Sequence, residues 1–463
     1  MSLWPCDWDN CEQPAVQRAG DCFLCDRHLC RTHLQDYWHK CPKRETNRKD
    51  YSAQYAATWA RQISELYHRI DESKLCRRAS LIRNGIPCTT NLSTETLSTM
   101  RGGQNCHAEI TFQDNVKWIA RFRLPQTSSP PVAVRDYVLR SEAATMNFLR
   151  KFTRIPSPEL FDWACESDPQ NPLGNVDYML MEKLEGEPLR WYSATPSQKE
   201  KIMQQLVDIF LEIEKHPFDT IGSIMPAAGD PSAFEIQGFA NQGTFPSGNG
   251  EPLGPFYSSI EAASAVIKLC LNKIASGAIA ASYLIDTYLV HRFRLDILAE
   301  SGKEILSESP RQFFLKHPDD KGDHILVNEA HDIVGIIDWE WCHTASKNEA
   351  FSSPCMMWPV AEFYDGSNEL ADDELRFASI FRERDRDDLA SYVTEGRKVQ
   401  RFFFSLGEDS ECYRGHQELV NLFVGLQRIF GSNVEEGWEE WKAKALEKWK
   451  EDDLLQALLR SEV

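Results

Sequence analysis

The hydrophobic positions change period several times along the chain, and each change marks an element. Tyr55, Trp59, Ile63, Leu66, Tyr67 and Ile70 recur at helical spacing, which predicts an amphipathic helix with its stripe in a core. A partner-binding face is the alternative use of that stripe. From Ser98 the pattern turns extended: Gly102-Gly103-Gln104-Asn105 leads into His107 to Phe112, a polar turn at Gln113-Asp114-Asn115, and Val116 to Leu124. Two extended runs about a short turn read as a hairpin with a flexible entrance. Arg140 to Met146 opens a helix, and Tyr178 to Glu182 is an apolar strand running into a polar turn. Phe313-Phe314-Leu315 and Ile333 to Ile337 suit buried strands.

Other stretches carry weaker signals. Val266 to Val290 is apolar but is interrupted by Lys268, Asn272, Lys273 and Asp286, so it reads as a buried helix and not a membrane span. Pro231 to Phe256 has repeated Gly, Pro, Asn and Ser with no sustained period, and predicts a long loop near the acceptor side of the C-terminal half, with a solvated insertion as the alternative. Trp438, Trp441, Ala445 and Trp449, followed by Leu454, Leu455, Leu458 and Leu459, predict closing helices that pack inside the chain, a dimerisation helix being the alternative.

Composition narrows the class. A chain of 463 residues exceeds what one core supports, so two or three folded units are expected. The formal charge of −19 excludes a protein whose whole surface grips nucleic acid or an anionic membrane. Met1 to Asp7 lacks a basic start and an apolar run, so no leader is expected. Of 14 cysteines, six fall before residue 45, a clustering that favours metal ligands in a reducing compartment. The cytoplasm is the expected location, with the nucleus as the alternative.

The N-terminal spacing is C-x4-C-x10-C-x2-C-x4-C-x2-H-x5-H-x-C, formed by Cys6, Cys11, Cys22, Cys25, Cys30, His33, His39 and Cys41. Eight such ligands suit two tetrahedral Zn²⁺ ions, and a fold this small would draw much of its stability from them. The pattern resembles the AN-one-type zinc finger. That resemblance implies cross-bracing: Cys6, Cys11, Cys30 and His33 on one zinc, Cys22, Cys25, His39 and Cys41 on the other. Four residues separate Cys6 from Cys11 where the family has two. His28 lies outside the register and reads as a surface histidine, while Trp4, Trp8, Phe23, Tyr37 and Trp38 are expected to pack around the metal shells or to meet a partner.

Further along, the residue types point to phosphoryl transfer. Paired glycines allow close approach to phosphates. Arg121 on the second strand of the hairpin and Glu142 on the following helix match the cation and helix glutamate of kinases, with Arg123 as the alternative cation. The strand ending at Glu182 would be the hinge for an adenine ring. His317-Pro318-Asp319 and, about twenty residues on, Gly335-Ile336-Ile337-Asp338-Trp339-Glu340 supply two carboxylates at strand ends. One can accept a hydroxyl proton and the other can hold Mg²⁺.

Four blocks in order, Gly102 to Asn105, Trp118 to Arg121, Ser141 to Met146 and His317 to Trp341, resemble the fungal branch of the aminoglycoside phosphotransferase and choline kinase-like family over roughly residues 97 to 430. The resemblance implies an α+β, bilobal, protein-kinase-like fold that moves the γ-phosphate of ATP or GTP to a hydroxyl of a small molecule. It implies Asp319 as catalytic base, Asp338 as Mg²⁺ ligand, and His317 as a brace for the catalytic loop. Position 324 departs: the family has asparagine and this chain has His324, and imidazole is a poor Mg²⁺ ligand. The alternatives this leaves open are a one-metal enzyme, a shift toward Mn²⁺, or nucleotide binding without efficient turnover. Nearby Asp320 and Asp323 read as compensating ligands or solvated charge. The implied layout is a finger at 1–45, a helical linker at 46–96, an amino lobe at 97–187 and a carboxyl lobe at 188–463. The finger reads as a docking module for a protein partner, and the alternative to an enzyme is a scaffold that binds through the finger without catalysis.

Overall fold

The computed structural model describes residues 3–279, 283–306, 312–404, 415–431 and 436–461, and its chain divides into two units. The first comprises Met1–Phe152, Ser157–Glu185 and Ser247–Gly250. It opens with a two-stranded ribbon, β1 (Asp21–Cys22) and β2 (Arg27–His28), followed by α1 (Arg48–Arg69), which buries Ile63 and Leu66 as its spacing predicts. Helix α2 (Glu72–Ile82) starts where the Asp71 carboxylate accepts from the Lys74 amide, 3.0 Å away. Then come β3 (Cys88–Thr90), α3 (Thr94–Thr99), β4 (Asn105–Phe112), β5 (Lys117–Arg123), α4 (Val132–Phe152), β6 (Leu160–Ala164) and β7 (Tyr178–Glu182).

Five of these strands form an antiparallel sheet in the order β3-β4-β5-β7-β6. The predicted hairpin is β4–β5, pairing Ile110 with Trp118, and its turn uses Asn115 at φ +64°. Strand alternation sends Cys106, Ala108, Ile110 and Phe112 of β4 and Trp118, Ala120 and Phe122 of β5 into one core with Leu66, Leu75 and Leu97. The opposite parity of β5 carries Arg121 and Arg123. The segment expected as a helical linker therefore does more than connect, because it contributes α1, α2 and the edge strand β3 to this core.

The second unit comprises Thr153–Pro156, Gly186–Pro246 and Glu251–Val463. Its elements run β8 (Glu187–Pro188), α5 (Pro196–Glu214), β9 (Ser223–Ala227), β10 (Asp230–Gln237), α6 (Ser259–Ala275), α7 (Leu284–Leu306), β11 (Phe314–Lys316), β12 (Ile325–Val327), β13 (Ile333–Ile336) and β14 (His343–Ala345). Helices α8 (Lys347–Ala350), α9 (Val360–Tyr364), α10 (Asp372–Glu383), α11 (Asp387–Thr394), α12 (Arg397–Phe403), α13 (His416–Phe430), α14 (Trp438–Lys448) and α15 (Asp453–Ser461) follow. The molecule is thus α+β: the first unit, expected to be β-rich, sets helices α1–α4 beside its five-stranded sheet, and the second is largely helical.

Two expectations change here. Val266 to Val290 is not one helix: α6 ends at Ala275 and α7 begins at Leu284, while residues 280–282 lie outside the described set. Pro231 to Phe256 is not a single loop, since β9 and β10 form a hairpin, and residues 247–250 belong to the first unit. Its Phe239, Phe245 and Phe256 are buried, so aromatic anchors organise a stretch whose Gly and Pro content had suggested none. The closing helices do pack internally: Trp438, Trp441, Trp449, Leu455 and Leu458 share a core with Ile267, Tyr288 and Phe423. No helix among the described residues is long and apolar enough to cross a membrane.

Candidate functional site

The eight N-terminal ligands gather into two groups, Cys6, Cys11, Cys30 and His33 in one and Cys22, Cys25, His39 and Cys41 in the other, with ligand atoms within 4.8 Å of one another in each. A tetrahedral zinc with ordinary Zn–S and Zn–N bonds separates neighbouring sulfurs by about 3.8 Å and a sulfur from a nitrogen by about 3.6 Å. Cys11 Sγ and Cys30 Sγ stand 3.8 Å apart, His33 Nδ1 lies 3.4 Å from Cys6 Sγ and 3.3 Å from Cys30 Sγ, and Cys25 Sγ is 3.7 Å from His39 Nε2. The residues fit zinc. In the second group a hydrogen bond from Cys25 draws the Cys22 thiol down to about 5, while the same bond and burial push Cys25 up. A dication would relieve that competition by favouring both thiolates.

Aromatic residues surround the first group as expected, with Trp8 stacked on His33 at 4.9 Å and edge-on to Trp38 at 5.2 Å. His28 is not a plain surface residue. Its ring stacks on Trp4 at 5.0 Å, its Nδ1 lies 3.1 Å from Asp7 Oδ2, and its Nε2 lies 2.7 Å from the Thr127 carbonyl oxygen, which follows β5. No sequence signal could have found that partner, 99 positions away.

In the first unit Arg121 and Glu142 form a bidentate ion pair, with Nη1 to Oε1 at 2.7 Å and Nη2 on Oε2. Both are buried. The fit is local in origin: β5 parity turns Arg121 away from the Trp118–Phe122 core face, and α4 presents Glu142 there. Arg123, the alternative cation, bonds Gln104 instead. Gly102 and Gly103 lie between α3 and β4, and neither adopts positive φ. A Cβ on Gly103 would meet nothing within 4 Å, so neither backbone conformation nor crowding within the fold demands that glycine. Glu182 ends β7 with its carboxylate accepting from the Glu159 amide at 3.1 Å, so it serves the β6–β7 edge.

In the second unit β12 and β13 pair antiparallel with Ile325 opposite Ile336, which brings the residues preceding β12 beside those following β13. The Ile337 amide donates to the His324 carbonyl at 2.9 Å, and His317 Nε2 donates to the Ile337 carbonyl at 3.1 Å. His317 thus ties the Asp319 loop to the Asp338 segment. Its ring also stacks on His324 at 4.3 Å and meets Trp339 edge-on at 5.1 Å. His324 is 8% exposed with Nδ1 unpartnered, and burial plus the neighbouring His317 and lysines pull its imidazole down to about 2, so it is neutral.

Asp319 is half-buried, with Lys321 Nζ 3.0 Å from its Oδ1. Asp338 is exposed and sits at φ +62°, a left-handed backbone that costs a non-glycine residue about 1 kcal/mol. Such strain at a chemically capable residue is the kind that clusters at functional sites. Asp320, a candidate compensating ligand, is tied elsewhere: its Oδ2 pairs with Lys316 Nζ at 2.8 Å and its Oδ1 accepts from the Cys355 amide at 3.0 Å. Asp323 is solvated. Sequence reading missed both lysines. Their spacing from the aspartates, four residues for Lys316 and two for Lys321, was the available signal.

No protein-family model matches the chain. Two subtelomeric hrmA-associated cluster proteins, from two strains of Aspergillus fumigatus, are each 38% identical over 104 residues, 22% of this chain and 19% of theirs. The chain thus spans about a fifth of the length of the curated relatives it matches. Among solved structures, ADP-bound aminoglycoside phosphotransferase APH(2'')-Ib overlaps with a TM-score of 0.40 at 9% identity, over 84% of this chain and 98% of that one. A thermostable mutant of aminoglycoside phosphotransferase APH(4)-Ia, in a ternary complex with AMP-PNP and hygromycin B, gives 0.37 at 14% identity over 77% and 92%. Plasmodium vivax ethanolamine kinase gives 0.35 at 11% identity over 75% and 80%. Overlaps this loose decide nothing about the chemistry, which rests on the side chains above.

Proposed function

We propose that this protein is a phosphotransferase that moves the γ-phosphate of ATP or GTP to a hydroxyl of a small molecule. The observation that carries the reading is the β12–β13 register, which holds the Asp319 loop and the Asp338 turn at one end of a hairpin, joined through His317 and the Ile337 backbone. Asp319 would accept the acceptor hydroxyl's proton, and Lys321 would orient its carboxylate. Asp338 offers an exposed, hard oxygen to one Mg²⁺ or Mn²⁺ ion, which when bound would neutralise phosphate charge. The Arg121–Glu142 pair supports the same reading, since a cation held by a helix glutamate is what kinases use on the α- and β-phosphates. Gly102 and Gly103 would let the backbone come close to those phosphates, with the Gly102 amide already donating to the Asn105 carbonyl at 2.8 Å.

His324 favours a single-cation site, because a buried neutral imidazole stacked on His317 is a poor substitute for an asparagine oxygen. The same residue is the observation behind the second reading, a nucleotide-binding scaffold without turnover. Under both readings the finger would also serve as a docking module, with Tyr37, 74% exposed, as its outward aromatic. A thermal-shift screen with ATP and GTP, each with Mg²⁺ or Mn²⁺, should show stabilisation. Transfer to a panel of hydroxyl compounds should be abolished by Asp319→Asn and by Asp338→Ala. Cation-dependent nucleotide binding with no transfer across the panel would favour the scaffold, and absence of nucleotide binding would exclude both nucleotide-based readings.

A further inference from the structure

We infer that the cysteine-rich N-terminal segment clamps the Gly102-Gly103 loop, making Phe23, Asp26 and His28 positioning residues for nucleotide binding. The inference rests on the proposed role of that loop. Two independent contact routes lead to it, both inside the first unit. In one, Phe23, between the ligands Cys22 and Cys25, packs its ring on Tyr55 at 4.8 Å and Trp59 at 5.1 Å, both on α1. The Arg101 guanidinium lies 4.1 Å over the Trp59 ring, one residue before Gly102. In the other, Asp26 Oδ1 accepts from Thr127 Oγ1 at 3.0 Å, and His28 Nε2 donates to the Thr127 carbonyl at 2.7 Å. The adjacent Gln126 then donates its Nε2 to the Gly103 carbonyl at 3.0 Å.

The loop has little packing of its own. Positions where Cβ atoms would stand on Gly102 and Gly103 meet only the Asn105 carbonyl at 3.9 Å, for Gly102. Backbone bonds close the loop, the Gly102 amide donating to the Asn105 carbonyl at 2.8 Å and the Leu124 amide to the Gln104 carbonyl at 2.9 Å, and the further grips on the Arg101 side chain and on the Gly103 carbonyl both run to the finger. Asp26 is anchored by Arg61 and Gln62 of α1 as well, so α1 and the finger form one platform. Ligation by Cys22 and Cys25 would fix the short turn that presents Phe23 and Asp26. A clamp of this kind also accounts for Thr127, a polar residue that is 7% exposed with both its hydroxyl and its carbonyl committed to the finger.

The test uses the full chain and three variants: Phe23→Ala with Thr127→Val, Thr127→Val alone, and the conservative pair Phe23→Leu with Thr127→Ser. Hydrogen exchange at residues 101–106 and ATP or GTP affinity are read together with zinc content. In the Ala/Val pair, loop exchange should accelerate and nucleotide Kd weaken by about fivefold, the lower end of ordinary coupling between sites. Thr127→Val, which leaves the finger sequence untouched, should show a smaller change of the same sign, and the Leu/Ser pair should match wild type. Unchanged loop exchange in the Ala/Val pair and in Thr127→Val overturns the clamp. Faster exchange in a protein whose wild type binds neither nucleotide upholds the clamp and removes the phosphate-binding role of the loop.

Discussion

Removing either half of the Arg121–Glu142 pair should destabilise the first unit strongly, and removing both should not. The two side chains are 10% and 3% exposed and meet through two parallel hydrogen bonds. Glu142→Gln removes the bidentate charge partner of a buried guanidinium, and Arg121→Met removes that of a buried carboxylate; each should cost about 3–5 kcal/mol. Paired replacement by methionines removes both desolvation penalties and should bring the cost near zero. For a unit of this size, a loss of about 3–5 kcal/mol corresponds to a melting-temperature drop of roughly 6–20 °C. Urea denaturation of wild type, both single variants and the double variant closes a thermodynamic cycle that isolates the pair. Nucleotide stabilisation, about 2.7 kcal/mol at a hundredfold excess over Kd, should vanish in all three variants. Single variants costing under about 1 kcal/mol would refute the buried-pair reasoning, because that is the value of an exposed pair. A stable double variant that still binds nucleotide would make the pair architectural.

His324→Asn restores an oxygen donor beside His317, and it should raise transfer or nucleotide affinity at limiting Mg²⁺; an unchanged Mg²⁺ titration would separate position 324 from the cation. Asp338→Gly should be more stable than Asp338→Ala by about 1 kcal/mol, since both lose the carboxylate and only glycine accepts φ +62° without strain, while neither should keep cation-dependent binding. Equal stability of the two would argue that the left-handed backbone is not maintained. Burial holds His107, His291 and His324 neutral, drawing them down to about 4, about 3 and about 2. The unfolded chain therefore takes up their protons first, so stability is full above about pH 6.5 and falls as pH drops toward 4, by about 1.4 kcal/mol per unit for each imidazole. Urea midpoints that stay flat from pH 7 to 5 would contradict this. Cys22→Ser with Cys25→Ser should lower metal content from two zinc ions to one, measured by atomic emission, and retention of two ions would break the proposed partition.

Much of the layout was legible because it is local. Alternation in Trp118 to Arg123 separates core from cation within one strand, and the apolar run ending at Ile337 followed by Asp338 sets a carboxylate at a strand end. The number and spacing of cysteines and histidines alone announced two groups able to hold a metal. The pairings that required two distant surfaces to meet were not legible. His28 and Thr127 are 99 positions apart, and Asp320 and Cys355 are 35 apart, with nothing in either sequence neighbourhood to name the other.

The chain's sequence determined which chemically capable residues occur and in what order: eight clustered cysteines and histidines, paired glycines, a strand arginine, a helix glutamate and two aspartates. Periodicity and side-chain type act over a few residues, so those assignments needed no fold. Tertiary structure alone decided that Asp320 braces a turn, that β3 and residues 247–250 join the first unit, and that the finger reaches Thr127 and Trp59. These depend on which buried faces complement one another once the chain has condensed, a choice made by packing and by the need to satisfy every buried polar group.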